Sequence, residues 1–172
     1  LGDVYKRQAY TAVDRAEDEV DMAYAVNGKG AENMAIAVKN IGARLVHIST
    51  DFVFDGLQGR PYRITDKPNP LNVYGKSKLD GECRVRKILG NDALVVRTAW
   101  VYSVHGQNFF NTMLRLMKER RELRVVSDQV GTPTSATSLA ESIWAFIEKQ
   151  CVGTYHMTDA GVASWYDFAL AI

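Results

Sequence analysis

The chain has 172 residues, 47% of them hydrophobic and 24% charged, a composition that allows a globular domain with an apolar core and excludes a disordered chain. Its 21 basic and 20 acidic residues leave a net charge of +1, so no overall field favours a nucleic acid or an anionic membrane as partner. No apolar run could span a bilayer, the first residues lack the basic-then-apolar order of a signal peptide, and Cys83 and Cys151 lack a CxxC spacing. We therefore predict a cytoplasmic protein with free thiols.

In chain order, the hydrophobic pattern predicts helices that alternate with buried strands. Residues 13–39 carry an apolar stripe at helical spacing, and "RLVHIS" (44–49) follows as a strand. The next helix begins near Asn72, a good N-cap residue, and "ALVVRTA" (93–99) and "LRVVS" (123–127) are further predicted strands. The helices after these two strands are marked by Phe109, Phe110, Met113, Leu114 and Met117 and by Leu139, Ile143, Phe146 and Ile147. This alternation predicts an α/β fold with a parallel, doubly wound sheet.

Polar residues follow two of the predicted strands. Sheets of this kind bind ligands beyond the carboxyl ends of their strands. "STDFVFDG" places Ser49, Thr50 and Asp51 at one such end, and "TAWVYS" places Trp100 and Tyr102 at another. A hydroxyl that merely caps the strand is the alternative for the first group, and the sequence leaves it open.

The segment "NVYGKSKLDGE" (72–82) sets Tyr74 four residues before Lys78. Residues at this spacing share one face of a helix, so the lysine ammonium could sit beside the phenol and lower its pKa toward neutrality. A nearby hydroxyl, Thr50, could then hold the oxygen atom that receives the proton. The spacing alone also fits an exposed pair on a helix surface.

Two other kinds of site are excluded by spacing. The tripeptide "GKS" (75–77) would need a glycine five positions earlier for a phosphate-binding loop, and Pro70 stands there. The histidines His47, His105 and His156 have no metal-ligand spacing.

The motifs "VHISTDFVFDG" and "PLNVYGKSKLDGE" resemble the extended short-chain dehydrogenase/reductase superfamily, which is Rossmann-like. The segments "AYTAVDRAEDE", "VNGKGAENMA", "VRTAWVYS", "GQNFFNTMLRL", "VVSDQVGTPT" and "GTYHMTDAGVASWYDFA" are similar to its dTDP-4-dehydrorhamnose reductase family, from Ala9 to Ile172. The resemblance implies reduction of the C4 ketone of dTDP-4-dehydro-L-rhamnose to dTDP-L-rhamnose with NADPH or NADH. It leaves a bound magnesium ion and a homodimer open.

The same resemblance implies roles for particular residues. Tyr74 is the implied proton donor to the C4 carbonyl oxygen, Lys78 tunes it and binds the nicotinamide ribose, and Thr50 contacts the same oxygen. The implied cofactor-binding residues are Ala9, Tyr10, Thr11, Asn27, Tyr74 and Lys78. The implied substrate-binding residues are Thr50, Asp51, Phe52, Trp100, Gln129 and Thr134. For Asn27, a relay behind Lys78 competes with a buried side chain whose hydrogen bonds are all satisfied.

The chain departs from the family at both ends. No G-x-G-x-x-G follows a strand, and residues 1–8 do not resemble the strand that the family has before "AYTAVD". We therefore expect a foreign or misassembled end at 1–8, a partial cofactor-binding catalytic domain at 9–128 that lacks the N-terminal βαβ unit, and part of a small substrate lobe at 129–172. The residue that selects NADH or NADPH is expected in the absent part.

Two related functions compete with the reductase. The regulatory subunit of methionine adenosyltransferase resembles the same fold without being an enzyme, and "TAWVYS", "DQVGTPT" and "SWYDFA" argue against it. Sugar-nucleotide epimerases and dehydratases are closer, but dehydratases carry an acidic pair after the strand-end threonine. Here Phe52 follows Asp51, which favours the simple reductase.

A first prediction concerns the 172-residue chain by itself. Without a glycine-rich phosphate-binding turn, it should bind NADPH poorly and should not reduce dTDP-4-dehydro-L-rhamnose. Titration of NADPH fluorescence and of its absorbance with substrate present would measure both properties. Measurable turnover would contradict the prediction.

Overall fold

The structure is a computed structural model that describes residues 4–6 and 9–172. The strands are β1 (Val4–Lys6), β2 (Leu45–Thr50), β3 (Leu94–Thr98), β4 (Val101–Tyr102), β5 (Val130–Gly131), β6 (Thr134–Ser135), β7 (Gly153–His156) and β8 (Ala163–Ser164). The α-helices are α1 (Val20–Tyr24), α2 (Gly30–Ile41), α3 (Val73–Leu89), α4 (Phe109–Glu119), α5 (Ala136–Glu148) and α6 (Trp165–Leu170). The chain forms two compact units. The first consists of the described residues up to Arg97 together with Cys151–His156, and the second consists of Thr98–Gln150 and Met157–Ile172.

The first unit is built on a sheet with the strand order β1-β2-β3-β7. Strand β1 pairs with β2 in parallel, and β3 pairs with β7 in parallel, with Arg97 opposite His156. Strands β2 and β3 are buried almost throughout, as expected for a parallel sheet, and the buried residues include polar side chains such as His47, Ser49 and Arg97. The predicted α/β class with a parallel sheet is confirmed. The remaining residues of the segment 1–8 lie outside the described part, so its foreign origin stays a prediction.

The helical segment before β2 is interrupted, although the sequence predicted one helix over 13–39. A 3₁₀ turn (Asp14–Glu17) precedes α1, and a π-helical turn (Ala25–Lys29) joins α1 to α2. At this turn the backbone passes very close to α3, since a Cβ added to Gly81 would lie 2.2 Å from the Asn27 carbonyl oxygen. A π-helical turn contains one residue more than an α-helical turn, and the helical spacing of apolar residues does not reveal where such a turn lies.

The core of the first unit lies between α2, α3 and the sheet. Ala31, Ala35 and Val38 of the predicted apolar stripe are fully buried. They pack in one cluster with Leu45 and Val85, together with Ala93. This part of the stripe therefore faces a core as predicted, and it packs against α3 and the first residue of β2.

The second unit combines helices α4, α5 and α6 with four short strands. Strand β4 pairs with β6 in parallel, and β5 pairs with β8 in an antiparallel arrangement. Side chains of Asn108, Ser135 and Ser164 accept hydrogen bonds from the backbone at the starts of α4, α5 and α6, which fixes where these helices begin.

The predicted strand at 123–127 is wrong. This segment forms no strand pairing among the described residues, and Val126 is 51% exposed. Its contact with the rest of the unit includes a hydrogen bond from the Tyr166 amide to the Val126 carbonyl. Leu123 and Val125 line a surface pocket beside Tyr166. The segment therefore has the β-rich composition of a strand but no neighbouring strand among the described residues.

The longest helix, α3, has 17 residues and carries charged side chains along its length. Among residues 9–172 and 4–6, no helix has the length and apolar character needed to cross a membrane. Cys83 is exposed on α3, Cys151 is half-buried before β7, and both are free thiols.

A second prediction tests the close approach at Gly81. Alanine there should lower the melting temperature of the chain by about 2 °C or more, because overpacking against a backbone carbonyl costs about 1–3 kcal/mol. Gly59→Ala is the matched control, since no atom lies within 4 Å of the added Cβ. Helix propensity alone favours alanine by about 1 kcal/mol, so a more stable Gly81→Ala protein would contradict the packing argument.

Candidate active site

The start of α3 is fixed against the loop that follows β2. The Asn72 side chain accepts a hydrogen bond from the Gly75 amide at 2.7 Å, and the Val73 amide donates to Glu17 at 2.8 Å. A Cβ added to Gly75 would lie 2.2 Å from the Phe52 carbonyl oxygen, so only glycine allows this approach. The first turn of α3 is thereby held beside the residues that end β2.

One face of α3 carries three buried polar side chains, Tyr74, Lys78 and Glu82. They follow one another at intervals of four residues, and their exposed fractions are 9%, 4% and 0%. Buried lysine and glutamate are rare unless they are paired. The exposed pair that the sequence left open for Tyr74 and Lys78 is therefore not what the structure shows.

The phenol of Tyr74 lies between an aromatic ring and the hydroxyl of Thr50. The ring of Phe52 packs edge-on against it, with centroids 5.5 Å apart. Burial raises the pKa of Tyr74, the hydrogen bond with the Thr50 hydroxyl opposes this change, and the charge of Asp51 adds to it. At neutral pH the phenol therefore keeps its proton.

The ammonium of Lys78 donates a hydrogen bond to the Ile48 carbonyl at 2.6 Å. The sequence predicted that Lys78 lowers the pKa of Tyr74, but in the structure burial prevails and the pKa is raised. A lowered pKa would need a further positive charge beside the phenol, such as that of a bound oxidised nicotinamide.

The Thr50 hydroxyl is engaged on both sides. It accepts a hydrogen bond from the Phe52 amide at 3.2 Å and donates one to the Asp51 carboxylate at 3.0 Å. The first bond caps the 3₁₀ turn at Asp51–Val53, which is the capping role that the sequence left open. Burial raises the pKa of Asp51, and the hydrogen bond from Thr50 opposes the rise. Capping and a position beside Tyr74 therefore coexist at Thr50.

Asn27 connects the segment 9–11 to α3. Its side-chain oxygen accepts from the Tyr10 amide at 2.9 Å, and its nitrogen donates to the Tyr10 carbonyl at 3.0 Å and to the Ser77 hydroxyl at 2.9 Å. Ser77 in turn donates to the Tyr74 carbonyl at 2.8 Å. These bonds match the predicted alternative of a buried, satisfied side chain, and the relay behind Lys78 stays a prediction.

The remaining predicted substrate residues lie in the second unit. Trp100 has a positive φ of 47° and stacks on Trp165 with ring centroids 3.6 Å apart. A Cβ on Gly131 would lie 2.4 Å from the indole, so the Gly131 backbone covers the other indole face. Thr134 is fully buried and donates to the Thr132 carbonyl at 3.1 Å. Thr134 thus offers no surface to a ligand, whereas Trp100 is partly exposed and the nearby Gln129 is exposed.

A buried ionic network, which the sequence did not predict, lies behind this site. Glu82 accepts hydrogen bonds from Ser49 and, in a bidentate pair, from Arg97 of β3. Two signals could have revealed it, since Glu82 continues the face of Tyr74 and Lys78, and Arg97 is a lone charge inside the apolar run "ALVVRTA". In the described part of the chain, no three His, Cys, Asp or Glu residues are grouped to hold a metal ion.

A third prediction concerns Asn27. Alanine there leaves the Tyr10 amide and carbonyl and the Ser77 hydroxyl without their partner, and we expect a loss of at least about 2 kcal/mol in the free energy of unfolding. Urea unfolding of the chain measures this loss. Asn33→Ala, at an exposed position of α2, is the control and should change stability by less than about 0.5 kcal/mol. Equal stability of the two variants would contradict the assignment.

Comparison with known proteins places this geometry in a family. A family model described as "RmlD substrate binding domain" matches residues 3–172. The dTDP-4-dehydrorhamnose reductase of Burkholderia thailandensis is 47% identical over 178 residues, covering 98% of this chain and 59% of the relative. The spore coat polysaccharide biosynthesis protein SpsK of Bacillus subtilis is 46% identical over 169 residues, with the same coverage of 98% and 59%.

A solved structure is similar over the same extent. The dTDP-4-dehydrorhamnose reductase from Bacillus anthracis, in complex with NADP, has a TM-score of 0.93 and 45% identity to this chain. The match covers 97% of this chain and 59% of that protein, so the chain spans little more than half the length of these relatives. The parallel sheet is thus of the Rossmann-like kind. Since the family model matches nearly the whole sequence, the chain belongs to the RmlD substrate binding domain family.

Proposed function

We propose that the chain carries the catalytic residues of an NADPH-dependent dTDP-4-dehydrorhamnose reductase. The observation that carries the proposal is the phenol of Tyr74, buried in its protonated form beside the Thr50 hydroxyl, with Lys78 one turn further along the same helix face. The names of the relatives and the NADP complex of the Bacillus anthracis protein support it. The proposed reaction converts dTDP-4-dehydro-L-rhamnose to dTDP-L-rhamnose.

Two parts of the first unit would hold the cofactor. Lys78 is a buried cation whose ammonium suits the hydroxyls of a nicotinamide ribose. Ala9, Tyr10 and Thr11 form a segment that Asn27 holds on the side of α3, which gives a bound dinucleotide a fixed neighbour. When bound, the reduced nicotinamide supplies the hydride for C4.

Tyr74 supplies the proton. Reduction of a ketone turns its carbonyl oxygen into a hydroxyl, so a proton donor is needed within hydrogen-bond reach of that oxygen. A raised pKa keeps this donor in its protonated form at neutral pH. After transfer the phenol becomes a phenolate, which the positive charge of Lys78 stabilises until solvent returns the proton. Thr50 orients the C4 oxygen toward the phenol.

Asp51 and Phe52 are the substrate contacts that the structure supports best. Both follow Thr50 directly, and the partly exposed Phe52 ring lies beside Tyr74, where an apolar edge of the sugar would pack. Trp100 and Thr134 act by shaping the segment that presents Gln129.

We place the reaction in the cytoplasm, because the free thiols of Cys83 and Cys151 favour a reducing compartment. A homodimer stays a prediction from the resemblance.

A fourth prediction tests Tyr74 in a completed enzyme, in which this chain replaces the matching stretch of the Burkholderia thailandensis reductase. Tyr74→Phe removes only the donor hydroxyl and should lower kcat about 10²–10⁴-fold. The assay follows NADPH absorbance after addition of dTDP-4-dehydro-L-rhamnose.

Tyr166→Phe is the matched control, since Tyr166 is 46% exposed in the second unit, and its kcat should stay within about twofold. If Tyr74→Phe keeps the kcat of the unmodified protein, Tyr74 is not the donor. If the unmodified protein binds NADPH and shows no oxidation, the reductase proposal itself is wrong.

A further inference from the structure

We propose that Glu82 is a positioning residue that acts through Ser49 to hold the Thr50 hydroxyl in register with Tyr74. The inference rests on the proposed reductase function and deepens it. Glu82 has no exposed surface, so it touches neither substrate nor solvent. Its effect on the reaction must pass through the groups that bind it.

The carboxylate of Glu82 accepts four hydrogen bonds. One oxygen accepts from the Ser49 hydroxyl at 2.5 Å and from Arg97 Nε at 2.9 Å. The other accepts from Arg97 Nη2 at 2.7 Å and from Arg86 Nη2 at 3.2 Å. A carboxylate offers about four acceptor sites, so this one is saturated and its orientation is fixed. Helix α3 and strands β2 and β3 meet at this single group.

The contacts of α3 with β2 follow one another along the strand. Lys78 donates to the carbonyl of Ile48, Glu82 accepts from the hydroxyl of Ser49, and the next residue, Thr50, lies beside Tyr74. Three consecutive strand residues thus face three residues on one side of the helix, and two of them are joined to it by hydrogen bonds. Because Ser49 and Thr50 share a peptide bond, the position of the first limits the position of the second.

The ion pair between Glu82 and Arg97 is not explained by its contribution to the free energy of unfolding alone. Both side chains are almost fully buried, at 0% and 3% exposed, and removing two charges from water offsets much of their attraction. A tightly packed apolar pair at these two positions would stabilise the core equally well. What the ionic pair adds is direction, since a bidentate guanidinium fixes the carboxylate plane, and Arg97 itself lies over the Phe54 ring at 5.1 Å.

The orientation of the Glu82 carboxylate matters because proton transfer depends on the short distance between the Tyr74 hydroxyl and the C4 oxygen of the substrate. A displacement of Thr50 by a fraction of an ångström leaves the binding of substrate and cofactor nearly unchanged, but it misaligns the C4 oxygen with the Tyr74 proton. The loss therefore falls on kcat and not on KM. If the bond between Glu82 and Ser49 were purely structural, its removal would lower the melting temperature, and its effect on kcat would be the same with and without the Thr50 hydroxyl.

The test is a double-mutant cycle in the completed enzyme. Ser49→Ala removes the link between Glu82 and β2 and keeps the ion pair with Arg97 intact. We expect it to lower kcat about tenfold at an unchanged KM for both substrates. In a Thr50→Ala background, the same substitution should change kcat by less than about twofold, because the group that it positions is absent. Slow variants are followed by accumulation of product over hours.

Glu82→Gln is the second variant, and it should lower kcat at least as much as Ser49→Ala. If it fails to fold, the cycle with Ser49→Ala decides alone. An equal loss of kcat with and without the Thr50→Ala substitution, or a normal kcat in Ser49→Ala, would overturn the positioning role and leave the proposed function standing. An unmodified completed enzyme that binds NADPH without oxidising it would overturn both.

Discussion

The packing of one face of α3 onto the carboxyl end of β2 is the constraint on which the site depends. Gly75 lets the first turn of α3 approach the Phe52 carbonyl, just beyond β2, more closely than any side chain would allow. Lys78 then donates to the Ile48 carbonyl, Glu82 accepts from the Ser49 hydroxyl, and Tyr74 lies beside Thr50. The polar groups at this contact are buried, so each must find its partner in the protein.

Burial also decides the chemical state of the site. A phenol with a raised pKa is a proton donor at neutral pH, which suits the reduction of a ketone better than a phenolate would. In the proposed mechanism the positive charge of Lys78 stabilises the phenolate after the proton has been transferred, so burial and the lysine charge act at different stages.

Sequence patterns predicted the parts of this molecule that repeat with a regular period or stand at a strand end. The buried stripe of α2, the parallel strands, the cap at Asn72 and the shared face of Tyr74 and Lys78 are of that kind. The π-helical turn at Ala25–Lys29 escaped prediction because it depends on contact with a distant helix.

The other failures have the same physical origin. The segment 123–127 has the period of a strand, but among the described residues no neighbouring strand pairs with it. Trp100 packs against Trp165 and Gly131, which the sequence did not indicate, and its contact with a ligand stays a prediction. The sequence marks Glu82 and Arg97 each as a charge on a buried face, but they lie 15 residues apart and their pairing is visible only in the fold. The roles of the predicted cofactor and substrate residues remain proposals.

One measurement tests the central claim most directly. The completed enzyme is incubated with NADPH and dTDP-4-dehydro-L-rhamnose, and the sugar nucleotide is then identified by NMR. The account predicts oxidation of NADPH that depends on the substrate, with dTDP-L-rhamnose formed in equal amount. A folded protein that binds NADPH but leaves the ketone unchanged would contradict it.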